Sequence, residues 1–135
     1  SVGPMDRKVI IPWTWQDQLG FVQADEVQGV QQCLVCSGQT ALDADGSPVS
    51  VGDMAGHLNK ALDNLETVSA RAGFSLSDAV RLNIYTTDMD SFFEAYPAAA
   101  QRLGEAGCRF ASTLPGVARL AFPELLVEIE ATAMA

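Results

Sequence analysis

Two carboxylates near the C-terminal end carry the clearest chemical potential. They are Glu128 and Glu130, in the run Pro123-Glu124-Leu125-Leu126-Val127-Glu128-Ile129-Glu130-Ala131-Thr132-Ala133. A carboxylate in a partly dry site can orient a water molecule or relay its proton. The run has no turn signal and reads as a strand, whose alternate side chains point to opposite faces. Leu125, Val127, Ile129 and Ala131 then form an apolar face toward the core, and Leu126, Glu128, Glu130 and Thr132 share the other. Two readings stand for the glutamates. One is a solvated outer face, the ordinary place for charged strand residues. The other is a face covered by another subunit, with one carboxylate in a wet pocket.

The remaining reactive side chains point to less. Cys33-Leu34-Val35-Cys36 has the spacing of a redox or zinc pair. It sits in an apolar strand-like run, where positions i and i+3 face opposite ways. No second ligand pair accompanies it, so the cysteines read as packing thiols and no metal site is expected. Cys108 makes the count odd, and residues at the N-terminus do not read as a basic segment followed by a long apolar core, so no signal peptide is expected. Reduced thiols in the cytoplasm are therefore expected. The one histidine, His57, falls beside Leu58 on a helix and reads as a flanking, partly exposed residue.

Composition narrows the partners. Seventeen acids against eight scattered bases give a formal net charge of −9 over 135 residues. This disfavours nucleic acid, whose phosphates require a basic patch. No apolar run approaches the ~20 residues that span a bilayer. The sequence offers no phosphate loop, dinucleotide fingerprint or metal cluster.

The elements that must position Glu128 follow from patterning, and they make one domain over 1–135. Ser1-Val2-Gly3-Pro4 before Met5 reads as an expression remnant, and 5–19, with Trp13 and Trp15, as an ordered arm rather than a helix. Strands are expected over Phe21–Val27 and Gln32–Gly38, paired as a hairpin around Gly29. Asp53 then caps an amphipathic helix with Met54, Leu58, Ala61, Leu62, Leu65, Val68 and Ala72 at spacings of three and four. Gly73 closes it in the left-handed conformation. Val80–Thr87 alternates as a half-buried strand. Asp90 or Ser91 caps a second helix, with a stripe containing Phe92, Phe93, Tyr96, Ala100 and Leu103. Arg109–Val117 and Leu125–Ala133 complete the order β-β-α-β-α-β-β. Two helices cover one face of such a sheet, giving an α+β fold. The other face is left mixed and suited to burial in an oligomer.

Four segments, in this order and at these spacings, resemble the Rid family (reactive intermediate deaminases, also called YjgF-like). They are Leu34-Val35-Cys36-Ser37-Gly38-Gln39, Leu62-Asp63-Asn64-Leu65, Ile84-Tyr85-Thr86-Thr87-Asp88-Met89 and Leu126-Val127-Glu128-Ile129-Glu130-Ala131. A fifth, Ala111-Ser112-Thr113 to Val117-Ala118-Arg119-Leu120, matches less well. The resemblance runs from Leu19 onward. It implies a chorismate-mutase-like fold with one mixed sheet, a homotrimer, and pockets between subunits. In the family's enzymes such a pocket hydrolyses enamines or imines to a 2-keto acid and ammonia without metal or cofactor. Carried over by position, Glu128 matches the glutamate that positions or activates water, and Ser37 and Gly38 match the pocket floor. Phe21 stands where the family has a tyrosine, and Asp90 where asparagine is frequent.

The main departure is an arginine that grips the substrate carboxylate in active members. This chain has Ala111-Ser112-Thr113 at the Arg-Ser-Thr motif, and the register set by Val117-Ala118-Arg119-Leu120 puts Ser112 at the arginine position. Alanine or serine cannot supply a bidentate guanidinium contact. Arg109 lies two residues upstream on the same strand face as Ala111 and reads as an ordinary exposed arginine or a partial replacement. The resulting expectation is a hydrolase for a larger, more apolar or uncharged imine, with Phe21 and Phe110 in the pocket. The alternative is a non-catalytic trimer that binds a small metabolite. Ribonuclease activity, a third family-derived option, is disfavoured by the charge.

Overall fold

A computed structural model describes residues 4–135; the stretch read as an expression remnant lies outside them except for Pro4. Strands β1 (Asp6–Ile10), β2 (Phe21–Val22), β3 (Ala24–Gln28) and β4 (Cys33–Val35) precede helix α1 (Met54–Arg71). Strand β5 (Ala79–Thr86), helix α2 (Met89–Glu105), β6 (Phe110–Thr113) and β7 (Val127–Met134) follow. The main sheet has five strands in the order β2-β6-β5-β7-β4. Its β2–β6 and β6–β5 pairs are parallel, and β5–β7 and β7–β4 are antiparallel. The parallel β5–β6 pair requires a crossover, and α2 provides it.

Apolar side chains of both helices and the inner sheet face form one core. Leu58, Leu62 and Leu65 of α1 and Phe92 and Leu103 of α2 meet Leu82, Ile84, Val127 and Ile129 of the sheet. Truncating one of these to alanine costs about 2–5 kcal/mol. The alternation read in β7 is realised: Leu125, Val127, Ile129 and Ala131 are buried, and Glu128, Glu130 and Thr132 face away from the helices. Asp53 caps α1 by accepting from the Gly56 N–H at 3.0 Å. Gly73, at φ +79°, follows its last turn.

Three expectations need correction. The strands at 24–28 and 33–35 do not form a hairpin. β3 pairs instead with β1, inside the stretch read as an arm, and makes a separate two-stranded ribbon, while β4 pairs with β7. The reason is Arg7. It binds Asp25 at 2.9 Å and donates to the carbonyls of Ser77, Ala79 and Arg109, fastening the ribbon to the main sheet. Helix α2 is capped two to three residues earlier than expected, by Asp88, which accepts from the Ser91 N–H at 3.1 Å. His57 is fully buried rather than flanking. Its Nδ1 accepts from the Leu126 N–H at 3.3 Å, which joins α1 to the segment before β7.

Candidate functional site

Glu128 lies between buried Val127 and Ile129, so strand alternation drives it onto the face that the helices leave open. The register of β7 against β5 sets Tyr85 opposite Glu128 and Asn83 opposite Glu130. The hydrogen bonds nevertheless go to one carboxylate. Tyr85 Oη donates to Glu130 Oε1 at 2.5 Å, and Asn83 Nδ2 donates to the same oxygen at 3.1 Å. These two donors, Tyr85 first, hold the Glu130 carboxyl below its ordinary range.

Glu128 has the opposite environment. It makes no side-chain hydrogen bond among the described residues, and the backbone of Gly38 lies against its carboxylate. A Cβ at position 38 would stand 2.5 Å from Oε2. Burial, and then the charge of Glu130, raise the Glu128 pKa. Two carboxylates two residues apart are thus pushed in opposite directions, the pattern that separates a proton-accepting group from an ionised neighbour.

The other expected site residues divide between the two faces of the sheet. Ala111 and Thr113 share the open face, because they pair with Arg81 and Asn83 of β5. Arg81, beside Ala111, donates to Thr113 Oγ1 at 2.9 Å. Phe21, Phe110 and Ser112 lie on the helix side, around a cavity of about 130 Å³ completed by Leu19, Ile84, Leu114 and three rings of α2, Phe92, Phe93 and Tyr96. Tyr96 Oη donates to the Leu19 carbonyl at 2.6 Å, and burial pushes its pKa up to about 12. Trp15 stands edge-on to Phe21 at 5.8 Å.

Adjacent strand residues face opposite ways, so the two possible positions of the missing arginine differ in kind: Ala111 faces the open sheet and Ser112 the cavity. No arginine or lysine is among the cavity residues. Asp90, in the first turn of α2, Ser37 and Arg109 are exposed and are not brought to the cavity. The Arg109 carbonyl is held by Arg7.

Sequence reasoning missed Arg81, Asn83 and Tyr85. Alternation within β5 places them opposite Leu82 and Ile84, but nothing in the sequence gives the register that sets them beside Glu130. Of the cysteine pair, Cys33 is exposed and Cys36 buried, with burial raising the Cys36 thiol. Among the described residues no three His, Cys, Asp or Glu side chains converge as metal ligands, and no helix is long and apolar enough to cross a membrane.

Residues 19–135 match the family profile described as Endoribonuclease L-PSP. A RutC family protein of Pyrococcus horikoshii is 30% identical over 100 residues, covering 74% of this chain and 77% of the relative. A solved structure from Yersinia pestis, described as a protein of unknown function of the conserved Rid family, is 36% identical with a TM-score of 0.86, over 96% of this chain and 98% of that one. A member of the YjgF/YER057c/UK114 family from Mycobacterium tuberculosis is 28% identical with a TM-score of 0.63, over 96% of this chain and all of the other (100%). The mixed sheet with two helices on one face and these relationships agree: the chain belongs to the Rid (YjgF-like) family.

Proposed function

We propose that the protein hydrolyses an imine or enamine to a carbonyl compound and ammonia, in pockets between the subunits of a homotrimer. The observation that carries this reading is the contrast between Glu128, raised by burial against Gly38, and Glu130, held ionised by Tyr85 and Asn83. A raised carboxylate is a stronger proton acceptor than an ordinary one. As water attacks the C=N carbon, a C–O bond forms and Glu128 takes the water proton. That proton passes to the nitrogen, giving a carbinolamine; the remaining hydroxyl proton then passes through Glu128 to the nitrogen as the C–N bond breaks, so that ammonia leaves and the carbonyl remains. An enamine first takes a proton at carbon to become the imine. Backbone N–H groups near Ser37 or Thr113 stabilise developing charge. No cofactor takes part in this scheme.

Support for assembly comes from the division of the site. Glu128 and the apolar cavity are on opposite faces of one sheet, so a second chain is needed to bring such halves together. The open face also leaves Val35 76% exposed. The Rid resemblance implies the same trimer. Three free cysteines fit a reducing, cytoplasmic setting.

The substrate in this reading is not the usual small 2-imino acid, because neither Ala111 nor Ser112 can grip a carboxylate. Arg109 is exposed, and Arg81 is the cation paired directly with the Ala111 position. The same absence favours a second reading, a trimer that binds a small metabolite without turnover. The endoribonuclease activity in the family description is disfavoured for this chain, because a net charge of −9 repels a polyanion. The test measures ammonia release from imines generated in situ, with light scattering for assembly. Glu128→Gln should lose most turnover while remaining trimeric. Retained turnover removes Glu128 from the mechanism, and a stable monomer removes the inter-subunit pocket.

A further inference from the structure

We infer that the cavity between α2 and the sheet binds one uncharged aromatic ring, carried by the imine or by its carbonyl product. Its size fits: apolar cavities of about 150 Å³ take a single benzene ring, and this one is about 130 Å³. Its lining fits as well. Phe21, Phe93, Phe110 and Tyr96 offer ring faces and edges, against which an aromatic guest packs offset or edge-on. Phe93 is 47% exposed and Phe21 partly so, which leaves a mouth for entry.

The polar side chains of the lining are Ser112 and Tyr96, and the Tyr96 hydroxyl is already committed to the Leu19 carbonyl. The Ser112 hydroxyl has no partner among the described residues. It is placed to make one hydrogen bond to an oxygen or nitrogen substituent on the guest. A carboxylate on the ring would be desolvated with no cation to meet it, at a large cost. The site therefore selects against aromatic acids. The ring site rests on the hydrolase reading only for the identity of the reacting group; binding of the ring does not depend on turnover.

The experiment is an amide-shift titration of the whole chain with benzyl alcohol, toluene and sodium benzoate at neutral pH. Benzyl alcohol and toluene should give saturable shifts around Phe21, Phe93 and Ser112, with benzoate at least tenfold weaker. Ser112→Ala should weaken benzyl alcohol about fivefold, the equivalent of one hydrogen bond of ~1 kcal/mol, and leave toluene unchanged. Leu114→Trp should fill the cavity and remove both. Benzoate binding as tightly as benzyl alcohol, or equal effects of Ser112→Ala on toluene and benzyl alcohol, overturns the inference. So does the absence of saturable shifts, even if imines are turned over. Ring binding with no turnover of a benzaldehyde imine supports the ring site and overturns the hydrolase reading instead.

Discussion

Gly38 lies so close to Glu128 that a single methyl at position 38 would stand 2.5 Å from the carboxylate oxygen Oε2. The glycine thus forms a wall against which the half-buried acid packs. Because the obstructed group is the far end of a flexible side chain, Glu128 can swing away. Gly38→Ala should therefore displace the carboxylate with little effect on folding. A misplacement of about 1 Å can cost roughly a hundredfold in rate, while the melting midpoint should move by less than about 4 °C. Unchanged turnover in this variant would show that the carboxylate position does not matter.

Glu128 and Glu130 should respond oppositely to neutralisation. The raised Glu128 pKa means that folding favours its protonated form, so the ionised carboxylate opposes folding above that pKa. Glu128→Gln should raise the melting midpoint at pH 7 while lowering activity. The lowered Glu130 pKa contributes stability above the unfolded value, lost as pH falls through the folded one. Glu130→Gln should lower the midpoint at pH 7, and Tyr85→Phe should do so too by removing its 2.5 Å donor. Differential scanning calorimetry of the three variants checks the signs. Equal shifts for the two glutamates would contradict the asymmetry.

Protonation of His57 should destabilise the fold in a distinct pH window. The Leu126 N–H donates to Nδ1, and Nε2 is buried near the Val49 and Ser50 carbonyls without a well-formed hydrogen bond. Desolvation lowers its pKa below 6.5, against the weaker raising effects of Ser50, Asp53 and Val49. The neutral form is the folded one, so this stability is complete above about pH 6.5 and is lost as pH falls through the lower folded pKa. His57→Asn, whose Oδ1 can take the place of Nδ1, should flatten the stability slope between about pH 7 and 5. A histidine titrating at or above 6.5 by NMR would contradict this.

Arg7 should matter more than an ordinary surface arginine. Its side chain is 16% exposed and that of Asp25 only 3%, and it also holds the carbonyls of Ser77, Ala79 and Arg109, at and beside the starts of β5 and β6. Removing one partner of a buried pair costs about 3–5 kcal/mol. Arg7→Ala should lose an amount in that range by urea unfolding and should release amide protection in β1 and β3. A loss under about 1 kcal/mol would make the pair a surface one.

Local pattern made much of this molecule legible in the sequence. The period of two in Leu125-Leu126-Val127-Glu128-Ile129-Glu130-Ala131 assigned Glu128 to the open face, and the stripe through Leu58, Leu62 and Leu65 gave α1 and its core side. These are properties of one segment, since backbone geometry alone fixes which side chains share a face. Tertiary structure decided what no segment contains. Tyr85 and Asn83 reach Glu130 from 45 and 47 residues away and distinguish it from Glu128. β3 pairs with β1 instead of forming the expected hairpin, and Arg7 of that ribbon reaches the Arg109 carbonyl 102 residues away. His57 is buried because the segment before β7 closes over it. The cavity around Ser112 likewise exists only where α2 crosses β6 and β2. Pairing register and packing set these distances, and with them the charge state of each carboxylate, because desolvation and hydrogen bonding depend on neighbours in space rather than in sequence.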